Sequence, residues 1–306
     1  MTASTASAPG SLMLLGEHAV LHGRPALVCA VNRRIRVTLR PRADREVHIR
    51  SSLGRYAIAI DQLQPADPFR FVIAAVLRQK DRLDAGLDLE IESEFSHQVG
   101  LGSSAAVTVA TTAALLAWIG EPAEPQTIFD ESLTVVRQTQ GLGSGADVAA
   151  SVFGGIVAYR ASPVDIRKLD GTHPLTVIYS GSKRPTVEVV KLVEAAHAAQ
   201  PKAFDTIFSL MGWSADAAAE AIAHGDWQTV GELMNINQGL MDAIGVSNRV
   251  LSEIVYALRD DPGILGSKIS GSGLGDCVIG LGRAKRTEWP QVVLPVEIAA
   301  RGFEVE

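Results

Sequence analysis

The run Gly100-Leu101-Gly102-Ser103-Ser104-Ala105-Ala106 opens onto a stretch, Ala105 to Trp118, that is apolar on nearly every face and built from small residues. A helix of that composition has no polar side to give to water, so it must run through the centre of a folded unit. Its N-terminus then opens inside the protein. The first N–H groups of a helix lack intrahelical partners, and glycines let another molecule come close to them. With the positive end of the helix dipole they make a place for phosphate. Ser103 and Ser104 add hydroxyls able to meet a phosphate oxygen or a magnesium ion. A capped, buried helix with serines at its start would explain the same residues without a ligand.

Context separates this run from other glycine motifs. It fits the G-x-G-x-x-A form of a dinucleotide fingerprint, with Glu121 at the distance of a ribose contact, but Gly120 to Pro125 is a loop after a helix and not the end of a second parallel strand. The chain has no Walker A sequence, no His-Arg-Asp catalytic loop and no G-x-S-x-G elbow, which disfavours P-loop kinases, protein kinases and serine hydrolases.

At 306 residues, with 47% hydrophobic and 20% charged residues, the chain has material for two cored domains and is too apolar for extended disorder. Its net charge of −6 offers no basic field for a nucleic-acid backbone. The one basic run alternates Arg34, Arg36 and Arg40 with Ile35, Val37 and Leu39, the period of a half-buried strand. Met1 to Leu15 lacks the basic region of a secretory signal. Ala105 to Ile119 contains three threonines and falls short of the roughly 18 apolar residues of a membrane span. Cys29 and Cys277 lie in apolar, strand-like segments, which fits buried free thiols in a reducing compartment such as the cytoplasm.

Strands are expected at Ala26 to Val31, Ile35 to Leu39, Val47 to Ser51, Leu87 to Glu92 and Ile156 to Tyr159, with helices at Ala105 to Trp118, at about Pro125 to Thr139 and just after Asp147. Ser162 to Pro174, with two prolines and a glycine, reads as a linker, placing a boundary near Asp170 between domains 1–170 and 171–306. Beyond it, strands at Leu175 to Ser180, Ser267 to Ser270, Asp276 to Leu281 and Val292 to Glu297 enclose helices at about Pro185 to Ala199, Ala215 to Ala223, Trp227 to Ala243 and Asn248 to Arg259. Helices grouped between strands without strict alternation give an α+β class.

Two further glycine turns stand out. Gly141-Leu142-Gly143-Ser144-Gly145-Ala146 fixes the backbone before Asp147, an acid able to orient a hydroxyl or, alternatively, to cap a helix starting at Val148. Ser270-Gly271-Ser272-Gly273-Leu274-Gly275-Asp276 lies between two strands and holds more glycine than a plain hairpin needs.

Ala8-Pro9-Gly10-Ser11, continuing to Gly16-Glu17-His18-Ala19-Val20-Leu21-His22-Gly23, resembles the first motif of the GHMP kinases, and its Gly-Glu-His core is similar to that of the mevalonate kinases among them. The Gly100 to Ala106 run is similar to that family's phosphate loop and Lys268 to Leu281 to its third motif; Met234 to Gln238 with Ile244 to Ser247 resembles the helix pair ahead of it. The resemblance implies an N-terminal α/β domain of the ribosomal-protein-S5 type and a C-terminal ferredoxin-like domain, with the site between them. It implies that Gly100, Leu101, Gly102, Ser103, Ser104, Ala105 and Ala106, with Gly271, Ser272 and Gly273, hold ATP, and that Ser104 ligates Mg2+. Glu17, His18 and Thr186 stand with the acceptor, and Asp147 addresses its hydroxyl.

Two positions depart from the pattern. Ser11 replaces the usual lysine of the first motif, and the family's magnesium glutamate falls at Val136. Lys183, at a strand-to-helix turn, is a replacement cation or an exposed turn lysine. The implied activity is ATP-dependent phosphorylation of the primary hydroxyl of mevalonate, a small-molecule substrate, with neither nucleic acid nor membrane as partner and with a homodimer allowed. A phosphomevalonate kinase and a catalytically silent ligand-binding relative are the alternatives.

Overall fold

The structure, a computed structural model, describes residues 3–306. The chain opens with the long strands β1 (Ser4–Leu15) and β2 (Ala26–Pro41), which pair antiparallel over most of their length. Ala6, Ala8, Met13 and Val28 point into one core, while Leu12, Leu14, Leu27, Cys29 and Val31 point into a second. Because β1 is buried on both faces, its small and apolar residues, Ser4, Ser7 and Ser11 among them, show no polar–apolar alternation, and sequence periodicity assigns no strand there. The expected strands at Ala26 to Val31 and Ile35 to Leu39 are parts of the single strand β2. In its outer half Ile35, Val37 and Leu39 are buried, while Arg36 and Arg40 reach out to pair with Glu306 and Glu90.

The hairpin β3 (Glu46–Ser51) and β4 (Gly54–Ala59) follows, then helix α1 (Arg70–Gln79) and β5 (Leu87–Ser93). The central helix α2 (Ser103–Trp118) packs on β1 and β2, flanked by α3 (Pro125–Gln140) and α4 (Ala146–Phe153). It is buried along most of its length, as its composition demands. Thr108 and Thr111 are tolerated inside because their hydroxyls donate to the carbonyls of Ser104 and Val107, each at 2.7 Å.

The expected strand at Ile156 is β6 (Ile156–Ala161), and the stretch expected as a linker, from Ser162, instead turns back tightly into β7 (Val164–Leu169), which pairs with β6. β7 is an edge strand with mostly exposed side chains, so nothing in its pattern marks it as extended. The chain crosses to a second sheet only between Asp170 and Pro174. There β8 (Leu175–Tyr179) is followed by α5 (Thr186–Ala199), α6 (Pro201–Ala223), α7 (Trp227–Ala243) and α8 (Arg249–Arg259), and then by β9 (Ile264–Ser270), β10 (Cys277–Gly282) and β11 (Val292–Leu294). The order β11-β8-β10-β9 is that of a ferredoxin-like sheet, with four helices in its first crossover and none in its second. α6 starts at Pro201, well before the expected Ala215, and β11 ends before the expected Glu297. Finally β12 (Glu304–Val305) returns to pair with β1, so the chain ends in the first sheet.

The outer face of β1 and β2 packs with α6, α7 and the second sheet in a shared core that holds Cys29 and Cys277, both buried free thiols. Burial pushes the Cys29 thiol up to about 12. The two lobes are therefore joined through a core as well as through loops. Among the described residues no helix is long and apolar enough to cross a membrane.

Candidate active site

Five loops meet in a cleft where the lobes join: the turn after β1, the loop into α2, the turn into α4, the loop after β8 and the β9–β10 turn. Each of the three glycine motifs contributes to its wall.

The loop into α2 is shaped by glycine for two separate reasons. Gly102 caps the helix in the left-handed region at φ 62°, and a Cβ there would lie 2.0 Å from the Ser11 hydroxyl. The amide of Ser11 donates to the Leu101 carbonyl at 3.1 Å, so the loop is fastened to β1. No side chain caps α2, which leaves its first N–H groups facing the cleft beside Ser103 and Ser104. Gly100, Gly102, Ser103, Ser104 and Ala105 line the cleft. Leu101 and Ala106 do not: Leu101 is an anchor in the shared core and Ala106 is buried under the helix.

Helix α4 begins at Ala146, and Gly145, at φ 96°, is its cap residue. Asp147 is thus in the first turn and does not serve as the N-cap. Its carboxylate accepts a hydrogen bond from the Ser11 hydroxyl at 2.7 Å and lines the cleft. Burial pushes the Asp147 carboxyl above the ordinary aspartate range, opposed by the Ser11 hydrogen bond and by the charge of Lys183. Ser11 therefore orients the aspartate but carries no charge of its own. Val136, on α3, is an apolar part of the same wall and offers no ligand atom.

Lys183 lies on the opposite wall. Its ammonium donates to the His97 carbonyl at 2.8 Å, spanning the cleft from the second lobe to the first. Thr186, at the start of α5, lines the cleft beside it.

Glu17 and His18 line the cleft, but their side chains are engaged elsewhere. Glu17 forms a fully buried ion pair with Lys268 of β9, and His18 Nε2 is 2.8 Å from the Ser272 carbonyl. His18 sits in the left-handed region at φ 59°. Burial pushes Glu17 up and Lys268 down, each opposed by the other's charge. Both contacts tie the turn after β1 to the second lobe. Lys268 is a residue that sequence reasoning missed: its partner is 251 positions away, and nothing local marks it as paired.

In the third motif Gly271 and Ser272 line the cleft, whereas Gly273 packs against the Val246 carbonyl and does not. Asp276 was also missed as a site residue. It ends the glycine run at φ 62°, is 5% exposed and lines the cleft with Oδ1 lacking any hydrogen-bond partner. Burial pushes its carboxyl up to about 6, with Lys183 opposing and Asp147 reinforcing the shift.

Two glycine-flanked helix starts and an oriented carboxylate, facing one cleft between an α/β lobe and a ferredoxin-like lobe, are parts suited to phosphoryl transfer. The chain belongs to the GHMP kinase family. Residues 70–155 match the GHMP kinases N terminal domain and residues 218–288 the GHMP kinases C terminal domain, while residues 2–41 match the galactokinase galactose-binding signature. The mevalonate kinase of Archaeoglobus fulgidus is 39% identical over 97% of this chain and 98% of its own. The Methanococcus jannaschii mevalonate kinase shares the fold at a TM-score of 0.81, with 21% identity over 96% of this chain and 98% of that one. The L. major mevalonate kinase in complex with R-mevalonate has a TM-score of 0.75 and 27% identity, covering 91% of this chain and 87% of that one.

Proposed function

We propose that this chain transfers the γ-phosphoryl group of ATP to the primary hydroxyl of mevalonate, giving 5-phosphomevalonate and ADP. The observation that carries the reading is the Asp147 carboxylate, fixed by Ser11 beside the uncapped start of α2 in the cleft. Its support from relatives is near full-length identity to curated mevalonate kinases, at 39% in the Archaeoglobus fulgidus case.

In this reading the N–H groups at the start of α2 hold the phosphates, and the Ser104 hydroxyl meets the accompanying Mg2+. An orphaned buried carboxylate oxygen on Asp276 and the serine hydroxyls make a hard oxygen donor set suited to that ion. When bound, Mg2+ neutralises charge on the transferring group. Asp147 orients the acceptor hydroxyl and takes its proton as oxygen bonds to the γ-phosphorus and the bond to the departing ADP breaks. Lys183 supplies the positive charge that Ser11 cannot. Glu17 and His18 act on the acceptor through the loop they fasten, because their polar atoms are already paired across the lobes.

The cleft favours an uncharged-head acceptor over phosphomevalonate. Its lining holds one lysine and no arginine, which leaves a second phosphate without a cation of its own. The buried free cysteines accord with a reducing, cytoplasmic location. ADP release measured with mevalonate, phosphomevalonate, galactose and homoserine tests the assignment. Mevalonate should give the highest kcat/KM; faster turnover of any other acceptor would overturn it, and turnover of none would favour a silent binder.

A further inference from the structure

Asp276 occupies a position that two motifs make room for. A Cβ on Gly100 would lie 2.9 Å from its Oδ1, and one on Gly271 would lie 3.4 Å from its Oδ2. The glycine that opens the phosphate loop and the glycine that opens the third motif thus both face this carboxylate. Its backbone is pinned as well: the Asp276 amide donates to the Ser182 carbonyl at 2.8 Å, and the Ser180 amide donates to the Asp276 carbonyl at 2.9 Å. The left-handed backbone, φ 62°, is one that aspartate tolerates better than most residues, at some cost in strain.

A buried carboxylate oxygen with no donor is expensive, and a carboxylate beside a phosphate loop repels the very ligand that loop is built for. The charge of Lys183 offsets part of this but gives the oxygen no donor, since its ammonium donates to the His97 carbonyl. A divalent cation arriving with the nucleotide would resolve both problems at once, satisfying the oxygen and screening it from phosphate. Val136, on the opposite wall, offers no ligand atom.

We propose that Asp276 is a ligand, directly or through one water, of the divalent cation that accompanies the nucleotide. The inference rests on the ATP-binding reading of the cleft and goes beyond it by assigning the cation's carboxylate to the β9–β10 turn. No carboxylate of the first lobe is needed. The cation would then join the lobes at the cleft, between Ser104 on one side and Asp276 on the other.

The test uses Mn2+ as probe, followed by electron paramagnetic resonance during titration into the full chain saturated with AMP-PNP, and AMP-PNP binding by calorimetry in EDTA. In Asp276→Asn and Asp276→Gly, Mn2+ affinity should fall by about 10- to 100-fold, the scale typical for loss of a group that supports a metal. Metal-free AMP-PNP affinity should hold or rise, because a repelling charge is gone. Asparagine and glycine both accept the left-handed backbone, so folding should survive, and a melting curve of each variant checks it. Unchanged Mn2+ affinity would overturn the inference, as would an equal fall in metal-free nucleotide affinity, which marks a merely structural role. If the unsubstituted chain binds no AMP-PNP with or without Mn2+, the ATP reading itself fails.

Discussion

At the scale of single residues, the cleft is arranged around charges that can be separated by what they touch. Glu17 and Lys268 are spent on each other, with side chains 2% and 0% exposed. Breaking a buried pair leaves an uncompensated charge, so Lys268→Met should cost about 3–5 kcal/mol of stability, whereas Glu17→Gln with Lys268→Met should recover most of it. Denaturant melts of the single and double variants measure the difference; equal losses in both would show that the pair does not hold the lobes. Asp147 and the serines of the loop into α2 were legible as cleft residues because turn chemistry is local: glycines, an acid and a helix start lie within a few positions of one another. Lys268 and Asp276 were not, because what gives them meaning comes from Glu17 and Gly100, far away along the chain.

At the scale of elements, the central helix explains why the site can exist. α2 is buried by composition, and its exposed end is held open by Gly102, which lies against Ser11. Gly102→Ala would need both a left-handed backbone and the space already filled by the Ser11 hydroxyl. It should weaken AMP-PNP binding strongly, and adding Ser11→Gly should restore only part, because the backbone strain remains. Calorimetry on the two variants reads this, and full affinity in Gly102→Ala would refute the fitted loop. Alternation revealed β2 and β5, whose outer faces meet water. It could not reveal β1, buried on both faces, or β7, exposed at a sheet edge, and the latter passed for a linker. The length of α6 was underestimated in the same way, since its early turns are mostly exposed.

At the scale of the whole molecule, the cleft is a seam between two lobes that share a core, with β12 returning from the second lobe to the first sheet. The order of motifs along the chain made the two-lobed architecture legible. The return of the tail was not, because a two-residue strand carries no periodicity. The central claim is that this seam transfers a phosphoryl group with Asp147 as the proton acceptor. Asp147→Asn keeps shape and removes charge, and Gly145 rather than Asp147 caps α4, so folding should be unaffected. The decisive measurement is the steady-state rate of ADP release with saturating ATP and mevalonate for Asp147→Asn against the unsubstituted chain. A loss of about 10²- to 10⁴-fold in kcat, with unchanged melting temperature and nucleotide affinity, is the result predicted for a lost proton acceptor. Near-normal turnover in that variant would contradict it.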